Sequence, residues 1–186
     1  GVQTCALPIS PLVSFAVQQH SPTASLDDVG IGVYGQGTVS VHERIELSFG
    51  GRVDRESKDA TLGTSFAPPI APASTLVASR SFSNLSPQVS LAYRIRSNRM
   101  AYVSLNNGYK AGGFNPAAPR GSEAFGEEHA WQFEGGVKTA WAGGRVQANA
   151  AVFSIDWSDL QLNLPNPQVP AQFYVANVGG ARSAGA

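Results

Sequence analysis

The sequence predicts an all-β chain: an antiparallel meander of about seven strands that forms an open arc of a large transmembrane β-barrel. Three observations predict it. Apolar and polar residues alternate with period two through several long stretches. The connections between those stretches alternate between short turns and long loops. Charged residues inside the stretches keep almost entirely to one face.

The first clear strand runs from Val29 to Val41. Val29, Ile31, Val33, Val39 and Val41 share one face, and Tyr34, Gln36, Thr38 and Ser40 the other. After His42-Glu43-Arg44 the alternation resumes, with Ile45, Leu47, Phe49 and Val53 against Glu46, Ser48, Arg52, Asp54 and Glu56. A third strand sets Val89, Leu91, Tyr93 and Ile95 against Gln88, Ser90, Arg94 and Arg96. Beyond Ser97-Asn98-Arg99, a fourth sets Ala101, Val103, Leu105 and Tyr109 against Tyr102, Ser104, Asn106 and Lys110. A fifth has Trp131, Phe133, Val137 and Trp141 against Gln132, Glu134 and Lys138. Ala142-Gly143-Gly144 turns the chain into a sixth, with Val146, Ala148, Ala150 and Val152 against Gln147 and Asn149. Its phase blurs at Phe153, Ile155 and Trp157, where a bulge is expected. A seventh strand is expected to begin near Phe173, and no helix is expected.

Short turns fall at 42–44, 97–99 and 142–144. Long loops rich in Pro, Ser and Ala are expected at about 57–84, 114–128 and 163–172. A soluble meander has no reason to sort loop lengths by end, whereas outer-membrane barrels have short periplasmic turns and long extracellular loops. The strands run to about 11–13 residues, against about 5–6 for soluble strands and about 9–11 for a tilted membrane strand. Glu46, Arg52, Asp54, Glu56, Arg94, Arg96, Lys110, Glu134 and Lys138 all lie on the polar face, and Arg55, near a long loop, is the exception. The sorting has an energetic cause, since a Lys or Arg facing lipid at midplane costs about 2–4 kcal/mol. Tyr93 and Trp141 lie near short turns, and Tyr109 and Trp131 near long loops, as two interfacial aromatic belts require. Inner positions such as Ser48, Gly50, Ser90, Ala92, Ser104 and Gly136 are small, which suits a wide lumen better than a packed one.

Bulk composition narrows function. The 186 residues hold 13 basic and 13 acidic side chains, so no net charge points to nucleic acid. Charged residues make up 14%, below the usual share of about 25%. No apolar run of about 18 residues is present, which excludes a transmembrane helix, and no signal peptide opens the chain. Cys5 is the single cysteine and has no metal-type spacing around it. Gly1 to Ile9 (GVQTCALPI) resembles one reading frame of a sequencing adapter, so 1–9 is expected to be non-native. Residues 10–28 are expected to form a loop or the end of a preceding strand, and 29–186 a partial barrel domain cut at both ends.

No catalytic, cofactor-binding or metal-ligating set emerges, no cofactor is expected, and the ligand-binding residues stay unassigned. Gly30 to Gly35 satisfies GxGxxG, but a dinucleotide site needs that motif between a strand and a helix, and here it lies inside a strand. Asp27-Asp28 and Glu127-Glu128 fall in expected external loops, where solvated charge is the default, and Asp156 and Asp159 near a strand rim. His20, His42 and His129 are scattered and form no ligand set. Asn107-Gly108 is a hairpin signal in isolation but interrupts a strand top. Arg52, Lys110, Arg94 and Arg96 face the lumen, the last two low, near a short turn.

Several stretches resemble the TonB-dependent receptor family. Tyr102 to Asn115 (YVSLNNGYKAGGFN) resembles a strand ending in a GYKAGGFN-like motif. Val33 to Gln36 with Ile45 to Asp54 (IELSFGGRVD) is similar to the family's F/Y-G-Q and L-x-x-G-x-R-Y hairpin, with Val53 where Tyr is frequent. Leu85 to Leu91 resembles SPKVSL. Phe125 to Lys138 (FGEEHAWQFEGGVK) resembles F-x-P-E-x-x-x-x-Y-E-x-G-x-K, without the Pro and with Phe133 for Tyr. Ala151 to Gln161 (AVFSIDWSDLQ) and Asn177 to Ala181 (NVGGA) resemble A-x-F-x-x-D-Y-x-D-x-Q and N-A-G-K-A. The matches run in family order over about residues 29–181.

The resemblance implies the middle of a plugged barrel of about 22 strands in the bacterial outer membrane. It implies active uptake of a scarce nutrient, by default a ferric siderophore, and no enzymatic activity. The implied partners are outer-membrane lipid, the receptor's own plug, through it the TonB energy-transducing protein, and a small-molecule or metal-chelate ligand. Two alternatives remain at this point: another outer-membrane barrel, such as a passive porin or adhesin, and a soluble secreted β-sandwich that binds glycans.

Overall fold

The computed structural model describes residues 18–167, 169 and 172–186. The stretch 1–9 expected to be adapter-derived lies outside them. The strands are β1 (Gln18–His42), β2 (Ile45–Ala67), β3 (Ser74–Arg96), β4 (Arg99–Lys110), β5 (Gly113–Phe114), β6 (Ala124–Phe125), β7 (Glu128–Trp141), β8 (Val146–Ser158), β9 (Leu160–Pro165), β10 (Phe173–Val178) and β11 (Ala181–Gly185). Seven form one antiparallel sheet in the order β1-β2-β3-β4-β7-β8-β11. The ribbons β9–β10 and β5–β6 stand apart from it. The sheet is open, with β1 and β11 as its edges. Among the described residues no helix is long and apolar enough to cross a membrane. Among the described residues the helical element is a 3₁₀ turn at Ala142–Gly144, where Ala142, Gly143 and Gly144 all take positive φ (51°, 68° and 89°), so glycine suits the last two.

Register fixes the faces. Val33 pairs Val53, Val53 pairs Leu85, Val89 pairs Leu105 and Leu105 pairs Phe133, so odd residues share one face across the first five long strands. The β7–β8 pairing joins odd to even (Val137 to Ala150, Gly135 to Val152), which places Val146, Ala148, Ala150 and Val152 on that same apolar face. The face is unburied: Ile31, Val53, Leu91, Phe133 and Val152 are all exposed. Buried apolar side chains among the described residues are few, with Ala60, Leu62 and Phe114 forming one cluster at the long-loop end. Among the described residues no second sheet covers this apolar face, as one would in a sandwich.

Five expectations change. Residues 57–84 are not a loop: β2 and β3 pair from Thr64–Ser74 down to Ile45–Tyr93, leaving the turn at 68–73. Likewise 163–172 shrinks to the tip of the β9–β10 hairpin, since Pro165 pairs Phe173. The strand expected near Phe173 exists, but it pairs β9, and the seventh strand of the main sheet is β11 after Gly179-Gly180. The bulge expected near Phe153 is absent, because the β7–β8 register runs without a shift from His129–Ser158 to Trp141–Val146. Residues 18–28, given to a loop or a preceding strand, continue β1 and pair with β2.

One cause underlies several of these changes: the two faces exchange polarity part-way along the strands. Below Arg55 the odd face of β2 is Ile45, Leu47, Phe49 and Val53, and above it Ser57, Asp59 and Thr61. On the even face Ala60 and Leu62 become buried, with Leu76 and Ala78 of β3 packed beside them. Arg55 pairs Ser83, where β3 likewise turns from Leu85 to Ser83 and Ser81. In β8 the apolar face ends at Val152, and Ser154 and Asp156 follow it while Phe153, Ile155 and Trp157 take the opposite face. β2 has 23 residues. At about 3.3 Å per residue such a strand runs about 75 Å and, tilted by about 45°, rises about 50 Å, past a hydrocarbon layer of about 30 Å. The exchange at Arg55 and Ser83, and at Asp156 in β8, therefore marks where these strands leave lipid and enter water.

Candidate functional site: the lumenal wall and the loop across its mouth

The even face of the lower strands carries paired charge. Arg94 donates to Glu46 (2.8 Å) and the Tyr102 hydroxyl to Glu134 (2.6 Å), while the Lys138 ammonium lies 5.2 Å from the centre of the Tyr102 ring. Higher, the Arg52 guanidinium meets Asp54 at 2.7 Å. A Cβ on Gly32 would overlap that guanidinium and lie 2.6 Å from Asp54 Oδ1, so this glycine of the GxGxxG stretch leaves room for an ion pair and holds no nucleotide. Arg52 and Asp54 are shared by two adjoining hollows of about 410 and 510 Å³. Tyr34, Asn106 and Tyr109 line the first, and Glu56, Lys58 and Lys110 the second. Tyr109, expected in the upper aromatic belt of the apolar face, turns instead to these hollows beside Arg52 and Asp54. A third hollow of about 720 Å³ lies at the short-turn end beside Arg94, Arg96, Arg99 and Lys138. Arg52 and Lys110 thus sit high and Arg94 and Arg96 low on one polar wall.

Most of the carboxylates that the sequence singled out have structural partners. Asp28 accepts from Lys58 (2.8 Å), which also contacts Glu56 (3.4 Å). The Asp28 hydrogen bond, more than the two charges, holds the Lys58 ammonium above its ordinary pKa against the opposing effect of burial. Glu127 lies 4.0 Å from His129, whose ring meets Tyr109, and Glu128 accepts the Gln161 backbone N–H at 2.6 Å. Asp156 pairs Arg182 across β8 and β11. Asp159 takes φ 53° and gives its carbonyl to Asn177. Asp27 stands opposite Asp59, and Asn107-Gly108 continues β4 without a turn. His20 and His42 lie at opposite ends of β1. No group of three His, Cys, Asp or Glu side chains gathers to hold a metal among the described residues, and Cys5 lies outside them.

The least expected feature is the connection from β4 to β7. Pairing of β4 with β3 stops at Gln88–Asn106, one residue short of Pro87, whose ring nitrogen has no hydrogen to donate. Residues 111–127 then leave the β4–β7 hairpin and fold over the even face, where Phe114 packs on Ala60 and Leu62. Gly112 and Gly113 permit the approach: a Cβ on Gly112 would lie 2.7 Å from the Phe82 ring, and one on Gly113 2.9 Å from the Phe125 ring. The GYKAGGFN-like motif is therefore the place where a strand top folds inward. Asn115, Gln161 and Asn177 all bond to the backbone of this region or of its neighbour β10. Sequence reading noted their motifs without giving them a role.

This architecture has known relatives. A family described as TonB dependent receptor-like, β-barrel, matches residues 8–186. The chain belongs to this family. Its fold is similar to the ferric yersiniabactin uptake receptor FyuA from Yersinia pestis, with a TM-score of 0.73 at 20% identity over 94% of this chain and 25% of that one. It is also similar to the ferric-catecholate import receptor Fiu from E. coli K12 (TM-score 0.63, 15% identity, 95% of this chain, 26% of that one). A third likeness is to the alcaligin outer membrane receptor FauA from Bordetella pertussis (TM-score 0.57, 16% identity, 97% and 33%). The chain thus spans between a quarter and a third of those receptors, and at these identities the likeness is one of fold. Family membership makes the chain a segment of a TonB-dependent receptor barrel of the bacterial outer membrane, and in such barrels an apolar face meets lipid and a polar face the lumen.

Proposed function

We propose that this chain is part of the barrel wall of a receptor that takes up a ferric siderophore across the outer membrane. In this reading a plug on the same polypeptide fills the lumen, and TonB supplies the energy through it. The observation that carries the reading is the polar wall, hollowed around Arg52, Asp54 and Tyr109 and overhung by residues 111–127, within a TonB-dependent receptor barrel. The receptors similar in fold are named for yersiniabactin, catecholate and alcaligin, which supports an iron chelate as the ligand class.

The test is uptake of radiolabelled iron by cells lacking their own siderophore receptors and carrying the complete gene. Ferric catecholate and ferric hydroxamate chelates are supplied at limiting concentration, with and without a functional TonB. The expected result is TonB-dependent uptake of at least one chelate class. Uptake that persists without TonB, or none from any chelate while the receptor is folded in the membrane, would overturn the proposal.

A further inference from the structure

Residues 111–127 are held by side chains that reach their backbone from several elements. From β10, Asn177 Nδ2 donates to the carbonyls of Gly126 and Glu127 (3.1 Å each) and of Asp159 (2.8 Å), while its Oδ1 accepts the Gly126 N–H at 2.6 Å. From β9, Gln161 Nε2 donates to the carbonyls of Ala111 (3.0 Å) and Gly126 (2.9 Å). Asn115 reaches the other way and bridges both backbone groups of Val175, donating to its carbonyl at 2.8 Å and accepting its N–H at 2.9 Å. Asn166 donates to the Ala117 carbonyl and Ser21 of β1 to that of Pro116. Asn115, Gln161 and Asn166 are buried, so water cannot readily replace these bonds. A Cβ on Gly126 would sit 3.3 Å from Asn177 Oδ1, so the join has little slack.

We propose that residues 111–127 and the β9–β10 hairpin form one fixed wall at the mouth of the lumen, with Asn115, Gln161 and Asn177 as its positioning residues. Swinging the loop would strand the Ala111, Gly126 and Glu127 carbonyls and the Gly126 N–H together, and would pull Phe114 off Ala60 and Leu62. Closure over a ligand is therefore the work of other loops, and this wall sets the geometry of entry. Only that last consequence rests on the uptake proposal; the immobility does not.

The experiment uses the complete receptor in outer-membrane vesicles, with nitroxides at Arg120→Cys on the loop and Thr75→Cys on the exposed face of β3. Pulsed electron resonance is expected to give one narrow distance, unchanged by a ferric catecholate or a ferric hydroxamate. Asn177→Ala and Gln161→Glu are expected to broaden it; the second keeps side-chain size but turns an oxygen toward two carbonyls. In uptake assays both are expected to raise KM about tenfold, equivalent to one or two net hydrogen bonds, with maximal rate retained. A distance that shifts when chelate is added to the unsubstituted loop overturns the proposal, as does a distance still narrow in both variants, or a fall in maximal rate at constant KM. Absence of chelate uptake in the parent receptor refutes the uptake reading alone and leaves the distance test standing.

Discussion

Replacing Leu91 by arginine tests the assignment of faces with a magnitude that can be worked in advance. Leu91 lies in a row running Leu47, Leu91, Val103, Gly135, Val152 across five strands, with no charge in it. It stands between Leu85, at the upper polarity switch, and Ile95 beside the short turn, and it is 43% exposed, so nothing in the protein shelters it. Arginine at such mid-height costs about 2–4 kcal/mol, equivalent to about 30-fold to nearly 1,000-fold in the folding equilibrium. The adjacent Ser90 lies in the row Ser48, Ser90, Ser104, Glu134, where arginine faces the lumen near a carboxylate. Ser90→Arg is expected to cost little. Tyr93→Arg, nearer the interface, is expected to fall between, at about 0–1 kcal/mol. The assay is urea unfolding of the complete receptor in phospholipid vesicles, followed by loss of heat-resistant electrophoretic mobility. A cost for Ser90→Arg equal to or above that for Leu91→Arg would refute the reasoning.

Three further outcomes follow from the same geometry. Gly112→Ala is expected to overlap the Phe125 carbonyl and the Phe82 ring and to free residues 111–127, at a cost of about 1–3 kcal/mol, read as new protease cleavage within the loop. Lys58 lies above the membrane level with a pKa raised from 10.5, so its pairing with Asp28 is expected to stabilise the β1–β2 extension below that pH and to fade as pH rises through the elevated value. Lys58→Met is expected to abolish that alkaline step in protease protection. The isolated chain, with an exposed apolar face and unpaired edges at β1 and β11, is expected to aggregate in plain buffer and to disperse in detergent, and a soluble monomer by sedimentation would contradict this.

The membrane portion of the fold was legible because lipid imposes a one-sided rule. From Ile45 to Val53 every second residue is apolar or glycine, and no charge intrudes. The upper extensions were not legible, because the rule reverses at Arg55. Above it a core forms on the even face from Ala60, Leu62, Leu76 and Ala78, and the odd face bears Ser, Thr and Asp, a composition that reads as loop. The same reversal at Ser154 made the phase of β8 look like a bulge. The polar ties of 111–127 were hidden for a different reason. Asn115 and Val175 lie 60 residues apart, as do Gly126 and Asn177 at 51, and no local pattern announces such bonds. Their motifs were visible as family resemblance, and their purpose only once the backbone atoms they satisfy were in place.

The most direct test of the central claim is a nitroxide scan along β7 from Trp131 to Trp141 in the membrane-embedded receptor, comparing relaxation by oxygen, which concentrates in lipid, with relaxation by a water-soluble nickel chelate. The account predicts strict alternation, with oxygen favoured at 131, 133, 135, 137 and 141 and nickel at 132, 134, 136 and 138. Inverted alternation, or equal access along the whole strand, would contradict it.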